Sequence, residues 1–308
     1  SADLASIYNN GVPANLNMLS VPPLQWFRMG DNGVYKDPQW LIPNNENKNK
    51  VSNYSTAFDG VDDYVDVGNI TSLNNVTNFS YSGWYNQSTL DARAVLFGMS
   101  SSGGFIIFYT WDDGRMILQI GKSGVNPYAS FDYSLYVTAG EWFHITYVYN
   151  GNGVTEADKV QIYINGAPLP LTFTLTMHSS TSGGANTTVI GKDIILSNDW
   201  NGGIDEVSIF DFSLTQQNVT DIYNNGTPTD LSLLATPPTN YWKMGENATF
   251  VYGANPDGTW TIPDEVGTNN GTSNNLMSDS ARVGESPGSA NNALSFNMDL
   301  IDRVEDTP

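Results

Sequence analysis

Between residues 79 and 210 apolar positions come in short bursts rather than at helical spacing. Phe79–Asn86, Ala94–Met99, Gly104–Thr110, Arg115–Ile120, Trp142–Tyr149, Lys159–Ile164, Thr187–Ile190 and Ile204–Phe210 are rich in aromatic or β-branched residues and bounded by Gly, Asn or Asp. That pattern predicts strands. Asp113-Gly114 is a two-residue hairpin signal, and Asn165-Gly166 marks another turn. No helix-period stretch interrupts the region, which argues against a parallel βαβ design. In the strand at 142–149, Trp142, His144, Thr146 and Val148 share one face, and Phe143, Ile145 and Tyr147 the other. Both faces are largely apolar, so the strand is expected to be covered on both sides, with Trp142 between the sheets. One helix is expected, from Thr215 to Tyr223. Ser213 or Thr215 caps it, Leu214, Val219, Ile222 and Tyr223 form its apolar stripe, and Asn225-Gly226 ends it.

A domain-length repeat overlies this pattern. Ile7-Tyr8-Asn9-Asn10-Gly11 recurs as Ile222-Tyr223-Asn224-Asn225-Gly226, an offset of 215 residues (222 − 7). Val21-Pro22-Pro23 answers Thr236-Pro237-Pro238. Trp26-Phe27-Arg28-Met29-Gly30-Asp31-Asn32 answers Tyr241-Trp242-Lys243-Met244-Gly245-Glu246-Asn247. Trp40-Leu41-Ile42-Pro43 answers Trp260-Thr261-Ile262-Pro263, and there the offset is 220 (260 − 40). Ser295-Phe296-Asn297 stands where Ala57-Phe58-Asp59 stood. The chain thus reads as the end of one copy, a full copy and the opening of the next. The expected organisation is a connector at 1–23, a β domain at 24–212, a helical connector at 213–239 and a docking tail at 240–308. The absence of Met at position 1 is read as the mark of a fragment or processed product.

Several segments line up, in order, with one family. Glu141-Trp142-Phe143-His144-Ile145-Thr146-Tyr147-Val148-Tyr149 resembles the W-x-H-V-A-x-x-Y strand of LamG-type domains. Lys159–Gly166 resembles their L-Y-V-D-G hairpin, and Thr188-Val189-Ile190-Gly191 their x-x-I-G strand. Trp200–Phe210 is similar to F-x-G-x-I-D-E-V-R-I-Y, and Leu214–Tyr223 to the closing helix, with Asn218 at the usual acid. Phe58–Val65 resembles the opening strand. The resemblance implies an all-β, concanavalin A-like (LamG) β-sandwich jelly roll with short helical connectors, whose first and last strands are adjacent. The Trp-[Arg/Lys]-Met-Gly-like flanks and the closing residues 300–308 resemble LamG-containing structural proteins of marine bacteriophages.

Composition narrows the chemistry. Lys+Arg number 12 against Asp+Glu 32, a net charge of −20, so nucleic acid and anionic lipid would be repelled. Charged residues are only 14% of the chain, against roughly 25% in an average domain, so Asn, Ser, Thr and Gly build much of the surface. With no cysteine, disulfides, thiolate metal sites and cysteine nucleophiles are excluded. No apolar run reaches the roughly 18 residues of a membrane helix. The Asn-x-Ser/Thr triplets follow from composition.

The candidate metal ligands are Asp59, Asp62 and Asp205. Asp59, Asp62, Asp63 and Asp66 crowd a Gly-containing turn that offers the oxygens calcium requires. The family's strand order would bring Asp205 beside Asp59 to complete the cage. The glucanase signature E-x-D-x-x-E is not met by Ile204-Asp205-Glu206-Val207-Ser208-Ile209, which lacks both outer glutamates. His144 sits at a structural strand position and His178 in a polar loop, and no Ser-His-Asp, H-E-x-x-H or phosphate-loop pattern occurs. Trp111, Tyr128 and Tyr85 are candidate platforms for sugar rings, whereas Trp84 and Trp142 read as core. The expected function is a non-enzymatic virion or surface structural protein, on the virion surface or extracellular, partnered by other subunits and host glycans. The alternative is a lectin module of a secreted protein, and a glycan array separates the two.

Overall fold

The computed structural model describes residues 7, 14–16, 19, 34–36, 39–42, 52, 54–90, 93–192, 199–251, 258–276 and 294–297. Their strands, in chain order, are β1 (Val34–Lys36), β2 (Gln39–Ile42), β3 (Thr56–Asp59), β4 (Tyr64–Gly68), β5 (Asn78–Gln87), β6 (Ala94–Ser101), β7 (Gly104–Thr110), β8 (Arg115–Lys122), β9 (Tyr128–Asp132) and β10 (Trp142–Asn150). They continue with β11 (Val160–Ile164), β12 (Ala167–Pro168), β13 (Thr172–Thr174), β14 (Asn186–Ile190), β15 (Asn201–Phe210), β16 (Asn240–Trp242), β17 (Thr249–Val251), β18 (Thr259–Ile262), β19 (Gly271–Asn274) and β20 (Leu294–Asn297). Among the described residues, helices run over Glu156–Lys159 (α1) and Gln216–Tyr223 (α2). Thr215 and Asn218 form a reciprocal capping box at the start of α2, and Asn224, in the left-handed conformation at φ 45°, ends it.

Two antiparallel sheets form a β-sandwich. The shorter runs β12-β11-β10-β5-β15-β16, with β3 also on β15; the longer runs β13-β9-β8-β7-β6-β14-β4-β19-β18-β17. β1, β2 and β20 make a separate three-stranded sheet. The strands predicted from alternation between residues 79 and 210 all form. What alternation did not mark are the short strands whose polar and apolar residues are mixed, such as β12 and β13.

Between the sheets lies an aromatic core. Phe79, Tyr81 and Tyr85 of β5 and Phe143, Ile145, Tyr147 and Tyr149 of β10 meet Phe97, Ile106, Phe108, Met116, Leu118 and Ile120 of the longer sheet. Phe108 stacks on Tyr147 across the gap, ring centroids 4.2 Å apart and planes 14° from parallel. Such a pair adds about 0.5–1.5 kcal/mol beyond its buried area.

The other face of the shorter sheet is covered too, by α2 and the chain after it: Val148, Tyr163 and Phe210 pack with Leu214, Val219, Ile222, Leu231 and Tyr241. The expectation that β10 is covered on both sides is met with the faces exchanged. Phe143, Ile145 and Tyr147 point into the sandwich, while His144, Thr146 and Val148 face α2. Trp142 is therefore not between the sheets. It is half-buried at the start of β10, with its ring over Gly203, where a Cβ would come within 2.6 Å of it.

The segment after residue 239 enters both sheets. β16 pairs with β15 through Val207↔Trp242, Ser208↔Tyr241 and Ile209↔Asn240. β3 takes the first half of the same β15 edge, from Asn201 to Ile204. β19 then pairs with β4, Val65 opposite Ser273, so the edge of the longer sheet is continued by β19, β18 and β17. Trp242, Met244, Ala248, Trp260, Ile262 and Leu276 join the central core. Residues 240–276 thus pair with and pack on strands of their own chain. Residues 1–6 and 298–308 lie outside the described residues.

Candidate functional site

Three places hold the residues singled out by sequence. The first is the outer face of the longer sheet. Alternation along β7 sends Phe105, Ile107 and Tyr109 outward, opposite Phe108. Trp111 follows in the hairpin closed by its N–H to the Arg115 carbonyl at 2.7 Å. Val95, Tyr109, Ile107 and Ile117 form a buried floor, and Phe105, Trp111 and Tyr128 lie half-exposed against it. The Arg93 guanidinium sits over the Trp111 ring at 4.3 Å and 5.2 Å from that of Tyr109. Arg115 donates to the Tyr128 hydroxyl at 3.4 Å and pairs with Asp113 at 2.7 Å. Two of the three expected ring platforms thus share one surface, each held by an arginine.

Tyr85, the third, is not there. It is fully buried in the sandwich, edge-on to Trp200 at 5.1 Å and hydrogen-bonded to the Tyr81 hydroxyl. Position 85 shares its face with Phe79 and Tyr81, and that face is the inner one. Burial pushes its hydroxyl pKa well up. Trp84, on the opposite face, is buried under Tyr223 of α2, ring centroids 5.7 Å apart.

The second place is the acidic turn. Gly60 takes a left-handed φ of 78°, where a Cβ would meet Asn201 at 2.7 Å. The turn is closed by the Asp59 N–H donating to the Asp63 carboxylate at 2.9 Å, and the Val61 N–H donating to Asp59 at 2.8 Å. Carboxylate oxygens of Asp59, Asp62 and Asp63 lie within 4.8 Å of one another, with Asp59 and Asp62 exposed and Asp63 buried. Burial raises the Asp63 pKa to about 6, helped by the charges of Asp59 and Asp62, against the Asp59 N–H, which lowers it. Asp66 stands apart in β4 and accepts the Gly68 N–H at 2.8 Å.

Asp205 does not reach this turn. In the β3–β15 register Asp59 faces Asn201, four residues from Asp205. Asp205 forms instead a third place, with Glu206 and Glu246, whose carboxylate oxygens lie within 4.8 Å of one another. The pairing of β15 with β5 slips between Asp205 and Ser208, and Glu206 holds a φ of 52°. This bulge turns two consecutive acids toward the same neighbour. Asp205 accepts the Ser52 hydroxyl at 2.5 Å, and the Tyr54 N–H reaches Glu246 at 2.9 Å. The Glu206 carboxylate accepts the Tyr241 hydroxyl, while its other oxygen, Oε1, is buried without a hydrogen-bond partner. Burial, followed by the neighbouring carboxylates, pushes the pKa values of Asp205 and Glu206 well above the usual range. Sequence reasoning missed Glu246. Its signal was present in the repeat, where an acid recurs as Asp31 and Glu246.

Both histidines are structural in their surroundings. His144 is buried, its Nε2 2.7 Å from the Ser82 hydroxyl, and burial drops its pKa to about 3. His178 Nε2 lies 3.0 Å from the Val125 carbonyl oxygen in a loop.

No curated protein matches the chain in sequence. Among solved structures, a proposed carbohydrate-binding protein from Bacteroides ovatus is similar at a TM-score of 0.50 and 16% identity, over 78% of this chain and 62% of that one. An SAP-like pentraxin from Limulus polyphemus matches at 0.42 and 17%, over 56% of this chain and 83% of its own. The CBM40 domain of a Ruminococcus gnavus sialidase matches at 0.44 and 8%, over 55% and 96%. The sequence profile of the concanavalin A-like lectin/glucanase superfamily covers residues 59–220. By that match, and by a sandwich whose strands follow the order of the family's motifs, the chain belongs to the concanavalin A-like lectin/glucanase superfamily.

Proposed function

We propose that this chain is a non-enzymatic recognition module of a virion or cell-surface structural protein, and that it holds a glycan on the outer face of the longer sheet at Trp111 and Tyr128. The observation that carries this reading is the pair of half-exposed rings, each fixed by an arginine, on a continuous apolar floor. The C–H face of a pyranose packs on such a ring, and guanidinium N–H groups donate to hydroxyl oxygens. Rings already held in place lose little freedom on binding, which favours affinity. The family's description joins lectins with glucanases. The lectin half fits better, because glycoside cleavage needs two carboxyl groups flanking an open cleft. Here Asp205 is fully buried and Glu206 is 3% exposed.

A calcium ion fits the third place better than the acidic turn. Three carboxylates meet there, and one buried oxygen, Glu206 Oε1, has no donor. Asp205, Glu206 and Glu246 would hold the ion, and its charge would offset theirs. Its role would be structural, joining β15 to the segment after β16.

The experiment is a glycan array with the wild-type chain and with Trp111→Ala. Saturable binding that the variant loses supports the reading. A wild type silent on the array would leave assembly with other subunits as the function, a second reading favoured by the sequence repeat.

A further inference from the structure

The outer face of the longer sheet carries a third ring, Phe105, beyond those of Trp111 and Tyr128. Phe105 stands near the start of β7 and Trp111 follows its end. At about 3.4 Å per residue the two lie roughly 20 Å apart along the strand. Phe105 is the partner in register of Gly121 in β8. A Cβ at Gly121 would come within 2.3 Å of the Phe105 ring, so the missing side chain is what lets the ring lean across β8. The ring is half-exposed and packs against the same buried floor as Trp111 and Tyr128.

β8 is the line that joins these rings. Met116, Leu118 and Ile120 point into the sandwich core, so alternation turns Arg115, Ile117, Gln119 and Gly121 to the outer face. β7 flanks them on one side, with Phe105 and Trp111 toward its two ends. On the other side lies Tyr128 of β9, opposite Gln119 in register, with its hydroxyl reached by Arg115 at 3.4 Å. The Gln119 amide is half-exposed between the two ends and donates to the Asn126 carbonyl at 3.2 Å.

Beside Phe105 the face deepens into an open cleft of about 340 Å³, to which Ser100, Ser102, Gly104, Gly121, Ser123 and Asn126 contribute. Bare backbone, hydroxyl and amide groups suit the hydroxyls of a sugar, and the Phe105 ring beside them suits its C–H face.

The charges indicate which sugars. Arg115 is paired with Asp113 at 2.7 Å, and Arg93 lies over the Trp111 ring at 4.3 Å. At the other end the Lys122 ammonium donates to the Ser180 hydroxyl at 2.6 Å and to the Thr181 carbonyl at 3.0 Å. These cations are already engaged, and a carboxylated or sulfated ligand would approach a chain of net charge −20.

We propose that this face is an elongated site for a neutral linear oligosaccharide lying along β8, with Phe105 and its cleft as a second subsite beyond Trp111 and Tyr128. The inference rests on the glycan reading above and adds to it the length and charge class of the ligand. A single terminal sugar covers one ring, whereas a chain of several pyranose units spans the interval from Trp111 to Phe105. Once one end is seated, the other subsite meets its sugars at high effective concentration, so affinity rises with chain length.

Calorimetric titration of the full chain tests this. The probes are neutral β-1,4- and β-1,3-linked oligosaccharides of glucose, mannose and xylose, from two to six units, beside oligosaccharides of uronic acids. For the series that binds, Kd should fall about tenfold or more between two and six units, a gain of about 1.4 kcal/mol or more. Phe105→Ala should bind the disaccharide as wild type does, which also shows that it folds, and should lose most of the gain with length. Phe105→Tyr should keep the gain. A wild-type Kd that is flat with length, or a Phe105→Ala chain that keeps the whole gain, would overturn the second subsite and leave the site at Trp111 standing. Tighter binding of the uronic acid series would overturn the neutral class. Silence across all the series would remove the glycan reading and this inference with it.

Discussion

The Tyr241 hydroxyl donates a hydrogen bond to the buried carboxylate of Glu206. One residue belongs to the closing segment and the other to the bulge of the last sandwich strand. The bond therefore fastens the two at the point where three acids converge, and Tyr241 also pairs in register with Ser208 of the same strand.

Tyr241→Phe removes that donor while keeping the ring in its apolar site. Leaving a buried polar acceptor unpaired costs about 1–3 kcal/mol. Urea unfolding should show a loss in that range. Tyr163→Phe, whose hydroxyl donates to the exposed Gln161 at 2.7 Å, should lose less.

Calcium binding at the acids around Asp205 should raise the melting temperature of metal-free protein. A ligand at a hundred times its Kd contributes about 2.7 kcal/mol to a fold that alone binds it. Asp205→Asn should abolish the rise and Asp59→Asn should keep it. The reverse pair of results would place the ion at the acidic turn, and no rise in wild type would remove calcium from the account.

His144 is held neutral by burial, with its pKa near 3. An unfolded histidine takes up a proton near pH 6.5. The unfolded state thus binds the extra proton between these values, and the fold is fully favoured above about pH 6.5 and loses stability as pH falls toward 3. The loss is about 1.4 kcal/mol per pH unit. Melting curves of wild type and His144→Gln at pH 7 and pH 4.5 should show the smaller acid loss in the variant. Equal losses would mean that the ring is protonated in the fold.

Asp63 works in the opposite sense. Its folded pKa of about 6 lies above the roughly 3.9 of an unfolded Asp. Its contribution is present below pH 4 and is lost as pH rises through 6. Asp63→Asn keeps an acceptor for the Asp59 N–H and removes the titration. The variant's stability should therefore fall less than wild type's between pH 4 and pH 7, as read by chemical denaturation.

Alternation along the chain located most of the sandwich strands because a strand with one buried face must repeat every two residues. It could not say which face of β10 or β5 was the inner one, since both faces of each are apolar and both are covered. That is why Trp142 and Tyr85 were placed on the wrong sides. The acids around Asp205 were hidden for another reason. Strict alternation puts Asp205, Val207 and Ile209 on one face, but Ile204, Val207 and Ile209 share the core, and only the bulge at Glu206 makes that possible. A bulge built on Glu rather than Gly leaves no mark in composition. Trp111 and Tyr128 were legible as ring-bearing positions near turns. Their arginine supports come from residues 93 and 115 on other strands or loops, and pairing them required the registers of β6 with β7 and of β8 with β9.

The pairing of β4 with β19 joins residues 64–68 to residues 271–274. A ribosome emits the first of these long before the second, so during synthesis the β4 edge stays without its neighbour while some two hundred further residues emerge. Contacts so distant in sequence slow folding, because the loop between them must be closed before they contribute. The cost is an interval in which an open strand edge of a Val-rich segment is presented to other nascent chains, with the aggregation hazard that such edges carry. A sandwich closed by its most C-terminal strands is one whose assembly is completed late, and production at lower temperature or slower translation should raise the share of soluble chain.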